Sequence, residues 1–186
     1  SNEDNTEAHY MTTAVEIVRQ LDVLGLKADG IVAGVGTGGT VMGIGKRIKE
    51  YNPAARAFPL EPLNSPTLST GYKVGKHRIQ GISDEFIPKI LKLDELDGVV
   101  SVDDTDSIIM ARMLSERLGI GVGVSSGANF IGCVMAQEKL GKDSVIVTVF
   151  ADDNKKYLST DYSQKQEMKE HYITHDLELK EVIAYC

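Results

Sequence analysis

Residues 31–40, IVAGVGTGGT, constrain this chain more than any other stretch. Ile31, Val32, Ala33 and Val35 form a short, β-branched apolar run of the kind that makes a buried strand. Gly34, Gly36, Gly38 and Gly39 then crowd a turn, and Val41, Ile44 and Ile48 follow at helical spacing. A strand that turns through glycines into a helix lets backbone N–H groups approach a ligand closely. It also points the positive end of the new helix at an anion. Thr37 and Thr40 add hydroxyl donors to the same turn. The alternative is an ordinary strand-to-helix turn that happens to be glycine-rich, and four glycines within six residues weigh against it.

The rest of the chain repeats the alternation. A polar start over residues 1–9 is expected to be loose, and Ala14, Ile17, Val18, Leu21 and Leu24 predict a helix ending near Gly25. Asn52-Pro53 stops the helix that follows the glycine turn. Residues 56–60 read as a second strand, ended by Glu61-Pro62, and residues 63–81 as a long loop of the kind that often carries function. Residues 86–91 predict a short helix and residues 99–102 a third strand. Asp103 or Asp104 then caps a helix with Ile109, Met113 and Leu114 inward. Residues 121–124 read as a fourth strand, followed by Ser125-Ser126-Gly127 and a helix bearing Phe130, Ile131, Val134 and Met135. Residues 144–150 are nearly all apolar, which predicts a fifth strand, central and parallel. Residues 152–160 are polar loop, and the charged tail from Asp161 reads as peripheral.

This order predicts an α/β fold with an open, mainly parallel sheet, whose ligands bind beyond the carboxyl ends of the strands. The turn at Gly36, the turn at Ser125 and Ala151-Asp152 should therefore open onto one crevice. The 186 residues suit one domain with a real core. A net charge of −7 argues against a nucleic-acid or membrane surface, and no apolar run is long enough to span a bilayer. Cys133 and Cys186 share no metal or CxxC spacing, so a reducing cytoplasm is expected, with Cys133 a buried small residue rather than a nucleophile. His171 and His175, beside Glu170 and Asp176, could face a metal, but a solvated surface is the better reading, and no metal site is expected.

Two chemistries compete for the glycine turn. Gly34-x-Gly36-x-x-Gly39 satisfies the dinucleotide fingerprint, and Glu61 lies about twenty residues on, where a ribose-binding acid would sit. That reading is a nicotinamide or flavin oxidoreductase. Against it, hydroxyls on both sides of the turn suit a single terminal phosphate, and the second turn, GVSSGAN at 123–129, has no role in it.

GVGTGGT at 34–40 resembles the pyridoxal-phosphate cradle of the fold-type-II enzymes, specifically the cysteine synthase (O-acetylserine sulfhydrylase) group. EAHYMTT at 7–13, HRIQGI at 77–82, GVSSGAN at 123–129 and YLST at 157–160 resemble further segments of that family, in family order. The resemblance implies the family's large cofactor domain over residues 1–162, with helices on both faces of the sheet, and a peripheral tail over 163–186. It implies that Gly36, Thr37, Gly38, Gly39 and Thr40 hold the phosphate of pyridoxal 5'-phosphate. Ser125 would hydrogen-bond the ring nitrogen, and Gly81 would lie near the cofactor plane, where a side chain would collide. It further implies β-replacement of O-acetylserine with sulfide, a homodimer, and the carboxyl tail of serine acetyltransferase as a partner. Cystathionine β-synthase or a cysteine-desulfurating relative is the runner-up.

The departures are informative. The family's Schiff-base lysine motif and its Thr-Ser-Gly-Asn type substrate loop lie upstream of the cradle, and here only Lys27 precedes Gly34. The chain is therefore expected to be the carboxyl-terminal part of a longer enzyme, with no catalytic residue of its own and no activity alone. Ala14-Val15 replaces the usual Gly-Pro. Ser83-Asp84-Glu85 replaces a frequent Gly-Ala-Gly, an acidic change at the entrance that bears on substrate preference.

Overall fold

The computed structural model describes residues 2–83, 86–180 and 182–184. The acidic pair Asp84-Glu85 and Cys186 lie outside the described residues. Four strands form one parallel sheet: β1 (Gly30–Gly34), β2 (Arg56–Pro62), β3 (Val100–Val102) and β4 (Ile146–Val147), in the order β3-β2-β1-β4. Gly30 pairs with Arg56 on one side and Ile146 on the other, and Leu60 pairs with Val100. The chain therefore steps outward from β1 to β3, then returns to the far side of β1. The switch point lies between β1 and β4, where a crevice opens in such sheets.

The period-2 alternation of β1 explains why helices cover both faces. Ile31 packs with Ala57 against Ala14, Ile44 and Ile48, and Ala33 packs with Val41 and Met42. These partners come from α2 (Thr13–Val23) and α3 (Gly39–Tyr51). Val32, with Phe58, Leu60, Val100 and Val102, meets Ile108, Ala111, Leu114, Ala128 and Ile131 on the opposite face. Those lie on α5 (Asp104–Leu118) and α6 (Val124–Leu140). Helix and sheet approach closely because small residues meet there: a Cβ on Gly45 would sit 2.8 Å from Ala57, and one on Gly132 2.8 Å from Val32.

Several elements depart from the sequence reading. Residues 3–9 are not loose but belong to α1 (Glu3–Met11), capped by the Asn2 side chain on the Asp4 N–H and favoured by two acids in its first turn. The fourth strand does not form: Val122 makes a single antiparallel bridge to Asp153, and Val124 already begins α6. The fifth is parallel but lies at the edge of the sheet, and its ladder covers only Ile146 and Val147. Its apolar run suits a strand with two neighbours, and the ordered partner is on the β1 side alone among the described residues. Residues 86–91 form no helix, and the loop at 63–81 contains a single turn, α4 (Thr67–Thr70). On α5 the inward face is Ile108, Ala111 and Leu114, while Ile109 and Met113 turn to a groove beside the tail. The tail is tied down: buried Asp106 accepts the N–H groups of Ile173 (2.9 Å) and Thr174 (3.3 Å), and Tyr172 is buried. No helix among the described residues is long and apolar enough to cross a membrane.

Candidate functional site

A cavity of about 910 Å³ opens at the switch point. Ala33 and Gly34 end β1 on its floor, and Val149, Ala151 and Asp152 follow β4. Gly36, Thr37 and Thr40 supply one wall and Gln80, Gly81 and Ile82 another, while Ser125 and Asn129 reach in from the first turns of α6. The three strand-end segments expected to share one crevice thus do so.

Asn129 holds the floor together. Its Oδ1 accepts the Gly34 N–H (2.8 Å) and its Nδ2 donates to the Val149 carbonyl (2.8 Å), which bridges β1 and the continuation of β4 where their ladder ends. Both backbone groups would otherwise be orphaned by the divergence of the strands. Sequence reasoning gave Asn129 no role, although a polar residue inside an otherwise buried helical turn is a usable signal.

The glycine turn divides by function. Gly36 faces the cavity, and a Cβ there would stand 2.8 Å from the Gly81 carbonyl oxygen. Gly38 adopts φ +91°, a left-handed conformation that only glycine takes readily, and packs on Leu91. Gly39 packs against the Asn5 side chain of α1, 2.5 Å from where its Cβ would be. Gly38 and Gly39 therefore shape the turn without lining the cavity. Among the described residues, the N–H groups of Gly36, Thr37, Gly38, Gly39 and Thr40 have no acceptor. Gly81 has φ +85° and open space around its Cβ position, so its backbone conformation is what calls for glycine in the chain itself. Arg78 fixes that loop: it donates to Asp104 (2.8 Å) and Asp161 (2.7 Å), joining the loop to α5 and to the start of the tail. The Asp104 hydrogen bond, opposed by burial and seconded by Asp161, raises the guanidinium further above its ordinary value.

The opposite end of the cavity has another character. The Ser125 hydroxyl has no hydrogen-bond partner among the described residues. Asp152 packs its Oδ1 against Gly123, the N-cap of α6, where a capping side chain would otherwise project. Its Oδ2 accepts from Tyr157 (2.5 Å) and pairs with Lys156 (2.8 Å), whereas Oδ1 is buried without a donor. Lys156 is the one lysine lining the cavity among the described residues, and its hydrogen bond to Asp152 raises its pKa.

Glu61 decides against the dinucleotide reading. Its carboxylate is buried and accepts from the N–H groups of Leu68 (2.7 Å) and Ser69 (3.2 Å) and from the hydroxyls of Ser69 and Ser101. It caps α4 from below, with no valence left for a ribose. Burial pushes the Cys133 thiol up to about 12, so it remains protonated. His175 pairs with Asp176 (2.7 Å) and His171 stacks edge-on against Tyr172.

The cavity lining therefore combines N–H donors and hydroxyls of the glycine turn, a Ser125 hydroxyl without a partner among the described residues, and the apolar Ala33, Ile82 and Val149. This donor set fits pyridoxal phosphate. The family model for pyridoxal-phosphate dependent enzymes matches residues 1–152, and the chain belongs to that family. The chain is 44% identical to cysteine synthase B of Campylobacter jejuni and 41% identical to a probable cysteine synthase of Bacillus subtilis, each over 160 residues. These alignments cover 86% of this chain and 52% and 51% of the relatives. The crystal structure of a hydrogen sulfide-producing enzyme from Fusobacterium nucleatum superposes with a TM-score of 0.95 at 66% identity, covering 98% of this chain and 54% of that one. The chain spans about half the length of the relatives it matches.

Proposed function

We propose that the full-length protein is a cysteine synthase-type enzyme that replaces the β-substituent of O-acetylserine with sulfide. The observation that carries the reading is a cavity lined by Gly36, Thr37 and Thr40, whose N–H groups have no acceptor among the described residues, and by Ser125, whose hydroxyl has no partner among them, in a chain of the pyridoxal-phosphate family. The cofactor supplies an electron sink for bond changes next to the substrate's α-carbon. In this reading the N–H groups of Gly36, Thr37 and Thr40, with the two threonine hydroxyls, bind its phosphate, and Gly38 and Gly39 shape the turn that presents them. The Ser125 hydroxyl orients the ring through its nitrogen, and being uncharged it fixes no proton there, which keeps the sink moderate. Gly81 leaves room over the ring plane, and Asn129 keeps the floor rigid. Residues 1–162 then form the cofactor domain and 163–186 a peripheral tail, which meets α5 at Ile173 and Thr174. The family resemblance puts the Schiff-base lysine motif upstream of the cradle, so the chain alone is expected to turn over nothing.

The 66% identity to a hydrogen sulfide-producing enzyme favours a second reading, in which the same Cβ–S bond is broken and cysteine releases sulfide. Family resemblance in the sequence supports a cytoplasmic homodimer and, as a partner, the carboxyl tail of serine acetyltransferase. The test is to supply purified full-length protein with O-acetylserine and sulfide, or with cysteine alone, and to assay cysteine and sulfide. Cysteine formation is expected. Sulfide release without cysteine formation would select the second reading, and NAD binding with neither activity would overturn both.

A further inference from the structure

The two threonines of the glycine turn are gripped from behind by α1. Asn5 donates its side-chain N–H to Thr37 Oγ1 at 2.8 Å. The His9 ring bridges two hydroxyls: Nδ1 lies 3.0 Å from Thr13 Oγ1 and Nε2 3.2 Å from Thr40 Oγ1. Glycines on α3 allow the contact, since a Cβ on Gly43 would stand 2.8 Å from that of His9.

We infer that Asn5 and His9 are positioning residues of the anion site, which turn the Thr37 and Thr40 hydroxyl protons toward the ligand. This rests on the reading that residues 36–40 take a phosphate. A hydroxyl has one proton to give. Thr37 receives from Asn5, so its own proton is free for the cavity it lines. A neutral imidazole has one donor and one acceptor. If Nε2 accepts, the Thr40 proton is spent on the ring and an oxygen lone pair faces the anion. If Nε2 carries the proton, it donates to Thr40, Thr13 donates to Nδ1, and the Thr40 proton points into the cavity. Anion binding therefore selects the Nε2–H form of His9.

The experiment uses the full-length apo protein, titrated with pyridoxal phosphate, with pyridoxal, which lacks the phosphate, and with inorganic phosphate. His9→Phe is expected to weaken pyridoxal phosphate by about tenfold, the worth of one hydrogen bond to a charged group, and to leave pyridoxal unchanged. His9→Gln, which keeps a donor near Nε2, should restore most of the affinity. Thr40→Val should cost a similar factor, with His9→Phe adding little on top of it. Nitrogen NMR of His9 should show a protonated Nε2 once inorganic phosphate is bound. Equal loss for pyridoxal phosphate and pyridoxal, full additivity with Thr40→Val, or a bound Nδ1–H tautomer would overturn the role of His9. If Thr40→Val leaves both pyridoxal phosphate and inorganic phosphate binding unchanged, the phosphate reading itself fails, and this proposal with it.

Discussion

Two helices begin in the same cavity and are prepared for different neighbours. At α3, a left-handed glycine and a close-packed turn leave five N–H groups without an acceptor among the described residues, the Thr37 and Thr40 hydroxyls meet Asn5 and His9, and no acid lies in the first turn. At α6, the N-cap is also glycine, but Asp152 fills the space beside it and places a carboxylate near the helix's positive end. A helix N-terminus attracts an anion in proportion to what is left unsatisfied there. The first site is therefore the better suited of the two to an external anion. The second already holds its negative charge and offers the neutral Ser125 instead. Glycine content alone does not distinguish them; the difference lies in which side chain packs on the glycine.

The largest expected effect comes from filling the first site. Gly36→Val places a branched side chain against the Gly81 carbonyl and into the cavity. Pyridoxal-phosphate affinity should fall by about a hundredfold, while the overpacked loop costs about 1–3 kcal/mol of stability. Fluorescence titration and thermal melts of the full-length protein measure both, and near-native affinity would show that the phosphate sits elsewhere.

A smaller change at the second site sharpens the contrast. Ser125→Ala removes a hydroxyl that has no partner among the described residues, so stability should hold within about 0.5 kcal/mol. Pyridoxal phosphate should bind about fivefold more weakly, with inorganic phosphate unaffected. Loss of inorganic phosphate binding in this variant would mean that the two helix starts share one anion, and the comparison would break.

The smallest effect is a pH dependence confined to the α6 end. Burial first, then the hydrogen bond to Asp152, raises Tyr157 above its ordinary value, with Lys156 acting in the opposite sense. A folded pKa above the unfolded one of about 10 means that this stabilisation is complete at lower pH and lost as pH rises through the folded value. Melts of wild type and Tyr157→Phe should therefore converge as pH is raised from about 9 to about 12. A gap that widens with pH would show that Asp152 and Tyr157 are not coupled as described.

The glycine turn, the cap of α5 and the α/β alternation were legible because each is written in neighbouring residues. Gly34 to Thr40 encode the turn, and Asp103 caps α5 on the N–H groups of Thr105 and Asp106 as its position implies. The strand at 121–124 was misread because Val122 and Val124 look extended locally, while the chain there already feeds α6. The loose start was misread because α1 draws its support from α3, where Gly39 and Gly43 give its side chains room, a contact that no neighbouring residues announce.

By itself the sequence determined the kind of chemistry: a glycine turn between strand and helix for an anion, a serine at a second turn, and a family likeness spread along the chain. Only the tertiary structure decided which groups are free to do that chemistry. Asn5 meets Thr37 across 32 positions, Asn129 meets Gly34 across 95, and Glu61 turns from a candidate ribose acid into a buried cap for α4. The physical reason is that a hydrogen-bonding group serves a ligand only with the protons and lone pairs that the fold leaves it, and that depends on partners brought from far along the chain.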